Sequence, residues 1–246
     1  MSEESPSTST GKSPRSMQSI TSLIDESLFS ATKVLEAVGL GYAIRRGTWQ
    51  VTTAILRQVL KTVFNLKIQG REHIPASNAA IICTKNSSGV YPLLACAAVT
   101  ESQNRTLFQA FDLEFFKIPG VRSLLNAIES IEITNGEISE PNKDLIVKKL
   151  CAGDLIGLTL ENVLRTDDSE QVVVNKSMIE LATQARVPII PIAIPNADDI
   201  INIKARKISL NQRLSITIHE PYIAHLEENG KDADECLAEL KGIIVE

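Results

Sequence analysis

The stretch "AAIICTKNSSGVYPLLACAAV" (residues 79–99) links two apolar runs through a short polar turn. The first run, Ala79 to Cys83, has the length and apolar character of a buried strand. The second follows Pro92, a residue favoured in the first turn of a helix. A strand that passes through a glycine-containing turn into a helix is where α/β proteins place binding and catalytic groups. This turn nevertheless holds no acid and no histidine, and Lys85 at its edge is its only charged residue.

Short apolar runs and helix-like segments alternate along the rest of the chain, which predicts an α/β sandwich with a mostly parallel central sheet flanked by helices. The predicted strands are 66–70, 79–84, 105–111, 130–134, 154–160, 187–194 and 213–220, and the predicted helices are 92–99, 119–128, 143–151, 175–185 and 232–244. The runs 79–83, 155–160 and 187–194 are expected to be neighbouring central strands. Parallel strands end at one edge of a sheet, so Asn86 and Glu161 should lie on the same face.

The segment before this domain divides in two. Residues 1–18 are rich in Ser, Thr and Pro and predict a disordered tail. Residues 19–66 carry apolar side chains at helical spacing and predict N-terminal amphipathic helices with a break near 39–42, which leaves 67–246 for the α/β domain. No apolar run approaches the roughly 18 residues of a membrane-spanning helix, and the N-terminus has no apolar core for a signal peptide.

Composition narrows the class of function. The apolar fraction of 43% excludes a wholly disordered chain, and the net charge of −5 argues against general nucleic-acid binding. The cysteines are far apart and mostly inside apolar runs, so they predict buried free thiols in a reducing, cytoplasmic compartment rather than a metal site: Cys83, Cys96, Cys151 and Cys236. Neither a metal nor a cofactor is expected.

Six ordered segments resemble the glycerolipid acyltransferases, which acylate glycerol 3-phosphate or lysophosphatidic acid. "IQGREHIP" (68–75) resembles the entry strand and turn of the family, and "KNSSGVYPLL" (85–94) resembles its N-H-x-S-x-x-D-P-L-L block. "FKIPGVRSLLNAIESIEITN" (116–135) and "LIGLTLENVLR" (155–165) resemble the second and third blocks. "VPIIPIAI" (187–194) is similar to V-P-I-V-P-V-A-I almost residue for residue, and "LSITIHEPY" (214–222) resembles the closing strand.

The resemblance implies that the catalytic positions have changed while the scaffold remains. The general base of the family, a histidine, falls on Asn86, and the aspartate that orients it falls on Tyr91. An amide cannot take a proton near neutral pH, and a neutral phenol cannot act as an anionic orienter. In the second block Thr134 and Asn135 replace Asp and Arg. At both positions of the catalytic pair, 86 and 91, the resemblance therefore implies that the motif is degenerate.

The third block departs from F-P-E-G-T-R in the same way. Leu160 replaces Pro, Asn162 replaces Gly, and Arg165 is one position late for the phosphate-binding Arg. Glu161 keeps its identity and is either a site carboxylate or an acid at a helix N-terminus.

Several polar residues near the turn are ligand-binding candidates with alternatives. Lys85 could bind an anion or be a solvated lysine at a strand end. Ser87 and Ser88, with Asn86 and Tyr91, form either a neutral polar pocket or the cap of the following helix. Glu161 and Arg165 complete the set. The three histidines, which could otherwise replace the missing base, are interpreted as surface residues: His73, His219 and His225.

A basic amphipathic segment precedes the domain. Between Glu36 and Glu72 there is no acid but there are six basic residues, and a tryptophan lies among them. Such a helix suits an anionic membrane surface, although docking to a protein partner or packing on the domain explains the same pattern. The residues assigned to this membrane or partner surface are Arg45, Arg46, Trp49, Arg57 and Lys61.

The sequence thus predicts a cytoplasmic, peripherally membrane-associated pseudoenzyme that binds a lipid surface or serves as an assembly or scaffold subunit. An acyl chain is a possible ligand, held without turnover. The alternative is a divergent glycerolipid acyltransferase that uses a thioester acyl donor and a glycerophosphate acceptor. Its partners would be anionic lipid or a protein complex, with no nucleic acid.

Overall fold

The structure is a computed structural model that describes residues 65–86, 91–103, 105–116, 129–166, 169–195, 213–224 and 230–245, with shorter pieces at 47, 49, 51, 54, 58, 125, 197, 201–202 and 207–208. All of these belong to the unit Tyr42–Glu246. The predicted tail and the first predicted N-terminal helix lie outside the described residues. In the second predicted helix, Gly47, Trp49, Val51, Ala54 and Gln58 are helical.

A mixed, mostly parallel sheet forms the centre of the described chain. Its strand order is β1-β10-β7-β2-β5-β3-β4. Neighbours in this order are parallel except β10 and β7, which are antiparallel. The strands are β1 Lys67–Gln69, β2 Ala80–Asn86, β3 Leu107–Asp112, β4 Ile131–Ile133, β5 Leu155–Thr166, β6 Ser169–Val174, β7 Ile189–Ala193, β8 Ile201–Asn202, β9 Lys207–Ile208 and β10 Ser215–Ile218. Strands β8 and β9 pair separately. The predicted central trio β7-β2-β5 is confirmed.

Helices cover both faces of the sheet because its central strands are apolar on both sides. They are α1 Tyr91–Gln103, α2 Leu113–Phe116, α3 Glu140–Cys151, α4 Ser177–Ala185 and α5 Ala233–Val245. Alternate residues of β2 enter different apolar clusters: Ala80 and Ile82 pack with α1, and Ile81 and Cys83 pack with α3, α4 and α5. The predicted α/β fold with flanking helices is confirmed.

Strand β5 differs most from its prediction. The expected strand ends at residue 160, but β5 continues to Thr166 and returns as the antiparallel strand β6. The valine-rich run "QVVV" (171–174) has the β-branched character of this second strand, a signal that the sequence analysis missed. The third block therefore continues past residue 160 as one arm of a hairpin.

Gly70 shapes the entry to the domain. It adopts a left-handed φ of 70° just before the 3₁₀ turn Arg71–His73. A Cβ at this position would collide with the carbonyl oxygen of Ile218. The nearby His73 ring places Nδ1 2.8 Å from the same oxygen. His73 therefore holds the turn against β10.

Two further predictions concern membrane-spanning helices and the state of the cysteines. Within the described part of the chain, no helix is long and apolar enough to cross a membrane. All four cysteines are free, and Cys83, Cys96 and Cys236 are buried as expected. Cys151 is exposed instead, because it lies in the last turn of α3, beyond the buried face of that helix.

Candidate functional site

Asn86 and Glu161 lie side by side at the carboxyl end of the sheet. They are register partners in the parallel ladder between β2 and β5. Register partners project from the same face of a sheet, so the predicted juxtaposition is confirmed. Asn86 is the last residue of β2, and Glu161 lies five residues before the end of β5. The alternative that Glu161 begins a helix is wrong, because β5 continues through it as a strand.

Tyr91, at the position where the resemblance implies the orienting aspartate, is the first residue of α1 and only 2% exposed. It belongs to the apolar cluster that packs between α1 and the sheet. An ionised carboxylate at this position would be separated from water and surrounded by apolar side chains, which is unfavourable without a cationic partner. The phenol suits this environment, since most of its surface is apolar.

Glu161 is held by a lysine that the sequence analysis did not consider. Nζ of Lys241, on α5, donates to Oε1 of Glu161 at 2.6 Å. The Glu161 side chain is 13% exposed, and the Lys241 side chain is 59% exposed. The carboxylate is thus mostly enclosed, whereas the ammonium group faces solvent. No local pattern links residues 80 positions apart, so only the tertiary structure identifies this pair.

Asn162, at a position where the resemblance implies a glycine, is fully buried and links β5 to the turn at Gly136. Its Oδ1 accepts from the Thr159 hydroxyl at 2.7 Å, and its Nδ2 donates to the Gly136 carbonyl at 2.6 Å. Asn175 in turn donates to the Thr159 carbonyl at 3.0 Å. Three residues of straight strand span about 10 Å. The Thr159–Asn162 bond therefore requires β5 to bend beside Glu161.

The remaining candidates are distributed around this edge. Lys85 is half-buried in β2, directly before Asn86. Arg165 is opposite Glu170 in the hairpin. Ser87 and Ser88 lie outside the described residues, so the choice between a pocket and a helix cap stays a prediction.

One cysteine lies close to Asn86 in the sequence. Cys83 lies three residues before Asn86, but its burial raises the pKa of the thiol and keeps it protonated. No group of three or more histidine, cysteine or acidic side chains capable of holding a metal ion occurs among the described residues.

Trp49 occupies a different environment from the one expected. It is 3% exposed and packs in the same apolar cluster as Tyr91. An indole enclosed by the chain itself cannot form part of a membrane or partner surface. Arg45, Arg46, Arg57 and Lys61 lie outside the described residues.

The family follows from a comparison of sequences. The sequence model of the family described as Acyltransferase matches residues 65–195, more than half of the chain. The chain belongs to the Acyltransferase family. The predicted resemblance is confirmed at this level, and the matched region includes the Asn86–Glu161 edge. A comparison with curated proteins finds no match.

The fold is shared with an acyltransferase of known structure. The crystal structure of the 1-acyl-sn-glycerophosphate (LPA) acyltransferase PlsC from Thermotoga maritima matches with a TM-score of 0.56. The match covers 93% of this chain and 94% of that chain at 14% sequence identity. At this identity the likeness establishes the α/β fold of this Acyltransferase family member.

Proposed function

We propose that this protein is a catalytically degenerate member of the Acyltransferase family that binds lipid at a membrane surface or within an assembly. The observation that carries the proposal is the replacement of the resembled His and Asp by Asn86 and the buried Tyr91. Acyl transfer to a hydroxyl requires a group that accepts its proton, and an amide does not. Loss of a general base typically lowers the rate by about 10²–10⁴.

The pairing of Glu161 supports the same conclusion. A carboxylate could replace the missing imidazole as a base, but this one is enclosed and hydrogen-bonded to Lys241. Its Oε1 already accepts a hydrogen bond from the Lys241 ammonium at 2.6 Å, so this oxygen is occupied where a base would have to meet the proton of an acceptor hydroxyl. This opposes the use of Glu161 as a base.

The test of degeneracy is a turnover assay on the full chain. Purified protein is given glycerol 3-phosphate or lysophosphatidic acid with acyl-thioester donors, and we expect no product above background. Robust turnover that disappears in Glu161→Gln would contradict the proposal and favour the divergent acyltransferase. The retained glutamate next to Asn86 is the observation that favours this second function.

The lipid-surface part of the proposal is supported by the six basic residues between Glu36 and Glu72. Each basic side chain near an anionic bilayer contributes about 1 kcal/mol, and salt weakens the attraction. We expect the protein to float with vesicles that contain anionic lipid, less so at high salt. A variant with Arg45, Arg46, Arg57 and Lys61 changed to Gln should stay in solution. If the wild type does not bind these vesicles and the variant dissociates from a protein complex, the basic segment docks to a protein partner.

A further inference from the structure

Strand β6 lies at an edge of the described sheet. It pairs antiparallel with the extended end of β5, and among the described residues its other side has no strand partner. Natural edge strands are commonly protected by proline, lysine, a bulge or a covering element, because their outward backbone groups can pair with another strand. Residues 169–174 contain neither proline nor lysine. The composition of β6 therefore leaves this edge unprotected.

The hydrogen bonds of the hairpin show which backbone groups point away from β5. The N–H of Asn175 donates to the carbonyl of Leu160 at 2.9 Å, so the backbone of Asn175 is directed towards β5. Backbone direction alternates along a strand, and Val173 is therefore directed the same way. Val172 and Val174 alternate with these residues and direct their backbone N–H and C=O groups away from β5. A further strand at this edge would pair with those groups.

The side chains of the same two valines are exposed to solvent. Val172 is 56% exposed and Val174 is 44% exposed, and strand alternation places both on one face of β6. Val173 lies on the opposite face, against Gly136. Branched apolar side chains in strands stabilise a sheet by packing against directly opposite side chains of a neighbouring strand. The edge of β6 therefore fits a partner strand that is itself apolar.

We propose that β6 pairs antiparallel with β6 of a second copy of this chain, about a two-fold axis at Val173. In this register Val172 of each copy lies opposite Val174 of the other, so both exposed valines meet apolar side chains. The register also places Glu170 of each copy opposite Lys176 of the other, an acid opposite a base. A register centred on Val172 would instead place Glu170 opposite Val174. The matching of charge and apolar character therefore selects the register centred on Val173.

The same matching favours a second copy over an unrelated strand. One short segment supplies both halves of each matched pair, and a two-fold axis uses every pair twice and closes the contact at two copies. The ammonium group of Lys176 pairs with Asp234, but both side chains are more than half exposed, so this ion pair is weak and does not prevent the pairing. The carbonyl of Val174 accepts the N–H of Lys176 at 3.1 Å and keeps a second lone pair for a partner strand.

Analytical ultracentrifugation of the full chain over a range of concentrations tests the proposal. We expect a monomer–dimer equilibrium for the wild type. Val172→Lys removes an apolar contact twice in each dimer, and we expect it to weaken dimerisation at least about ten-fold. Leu145→Lys is the matched control, because Leu145 is also an exposed apolar residue, at 40% exposure, but lies on α3. Its dimerisation should equal that of the wild type.

A cysteine on the two-fold axis tests the register. Cys151→Ser first removes the exposed cysteine of the described chain. In that background Val173→Cys should form an intermolecular disulfide on mild oxidation, because Cα atoms in such an antiparallel pair are about 4.5 Å apart. Gln171→Cys is the matched control. The two copies of position 171 would be about 13 Å apart along the strands, too far for a disulfide.

Several outcomes would overturn the proposal. They are a wild type that stays monomeric at every concentration, growth into open-ended assemblies, dimerisation of Val172→Lys at wild-type strength, and disulfide formation by Gln171→Cys in preference to Val173→Cys. A monomeric wild type that binds a strand of another protein at this edge would assign β6 to that partner and also overturn self-pairing. Circular dichroism checks that each variant is folded, and the disulfide test decides the matter should Val172→Lys unfold. Turnover by the wild type would contradict the proposed function but not this dimer.

Discussion

Asn86 and Glu161 are partners in the register of β2 and β5, so an amide and a carboxylate occupy adjacent positions at the carboxyl edge of the sheet. Lys241 holds the carboxylate from α5. The edge therefore combines a neutral side chain with an ion pair.

Tyr91 should resist conversion to the residue of the family motif. Tyr91→Asp places an ionisable group in the apolar cluster at 2% exposure, and we expect a loss of about 3–5 kcal/mol in the free energy of unfolding at neutral pH. Tyr91→Phe keeps the ring and should lose about 1 kcal/mol. Urea denaturation of both variants measures the difference. Equal stabilities would show that position 91 is not enclosed as described.

Asn162 should contribute to stability as a buried link between segments. Asn162→Ala leaves the Thr159 hydroxyl and the Gly136 carbonyl without their partner, and we expect a loss of about 2–3 kcal/mol. Gln171→Ala, at an exposed position of the same hairpin, should change stability by less than about 0.5 kcal/mol. Thermal unfolding compares the two variants. If Asn162→Ala is as stable as the control, the bend of β5 does not depend on this amide.

Gly70 and Gly242 should respond in opposite directions to substitution by alanine. Gly70→Ala brings a Cβ against the Ile218 carbonyl oxygen at a left-handed φ, and backbone strain alone costs about 1–3 kcal/mol. Gly242 lies in α5, and a Cβ there meets no atom within 4 Å. Gly242→Ala should therefore stabilise the protein by about 0.5–1 kcal/mol. Chemical denaturation measures the sign of both changes in the free energy of unfolding. A Gly70→Ala variant as stable as the wild type would contradict the geometry of this turn.

Trp49 should act on folding rather than on membrane binding. Trp49→Ala leaves a cavity in the apolar cluster that Trp49 shares with Tyr91 and α1. We expect it to lower the free energy of unfolding by about 3–5 kcal/mol. Trp49→Phe should be milder and should bind anionic vesicles as wild type does. Selective loss of vesicle binding in Trp49→Phe, with unchanged stability, would show instead that the indole contacts lipid.

Much of the fold follows from local patterns in the sequence. The apolar runs at 79–83, 155–160 and 187–194 are short, are separated by helical segments and contain few polar interruptions. These properties predict strands, and connections through helices make the strands parallel. The pairing of Asn86 with Glu161 follows from the same reasoning, since each residue comes just after such a run. The departures from the family pattern at residues 86 and 91 are likewise visible in the sequence alone.

Other features depend on contacts between distant residues, for which the sequence carries no local signal. Trp49 has the same amphipathic surroundings whether it packs on the domain or faces a bilayer, and its burial became clear only from the cluster that encloses it. In the sequence, Asn162 only stands where the family pattern has a glycine. Its role as a link to residue 136 follows from the tertiary structure, because β5 bends towards that residue. Lys241 reaches Glu161 because α5 packs across the central strands, and a helical period specifies which face of α5 is apolar but not which strand end its lysine meets.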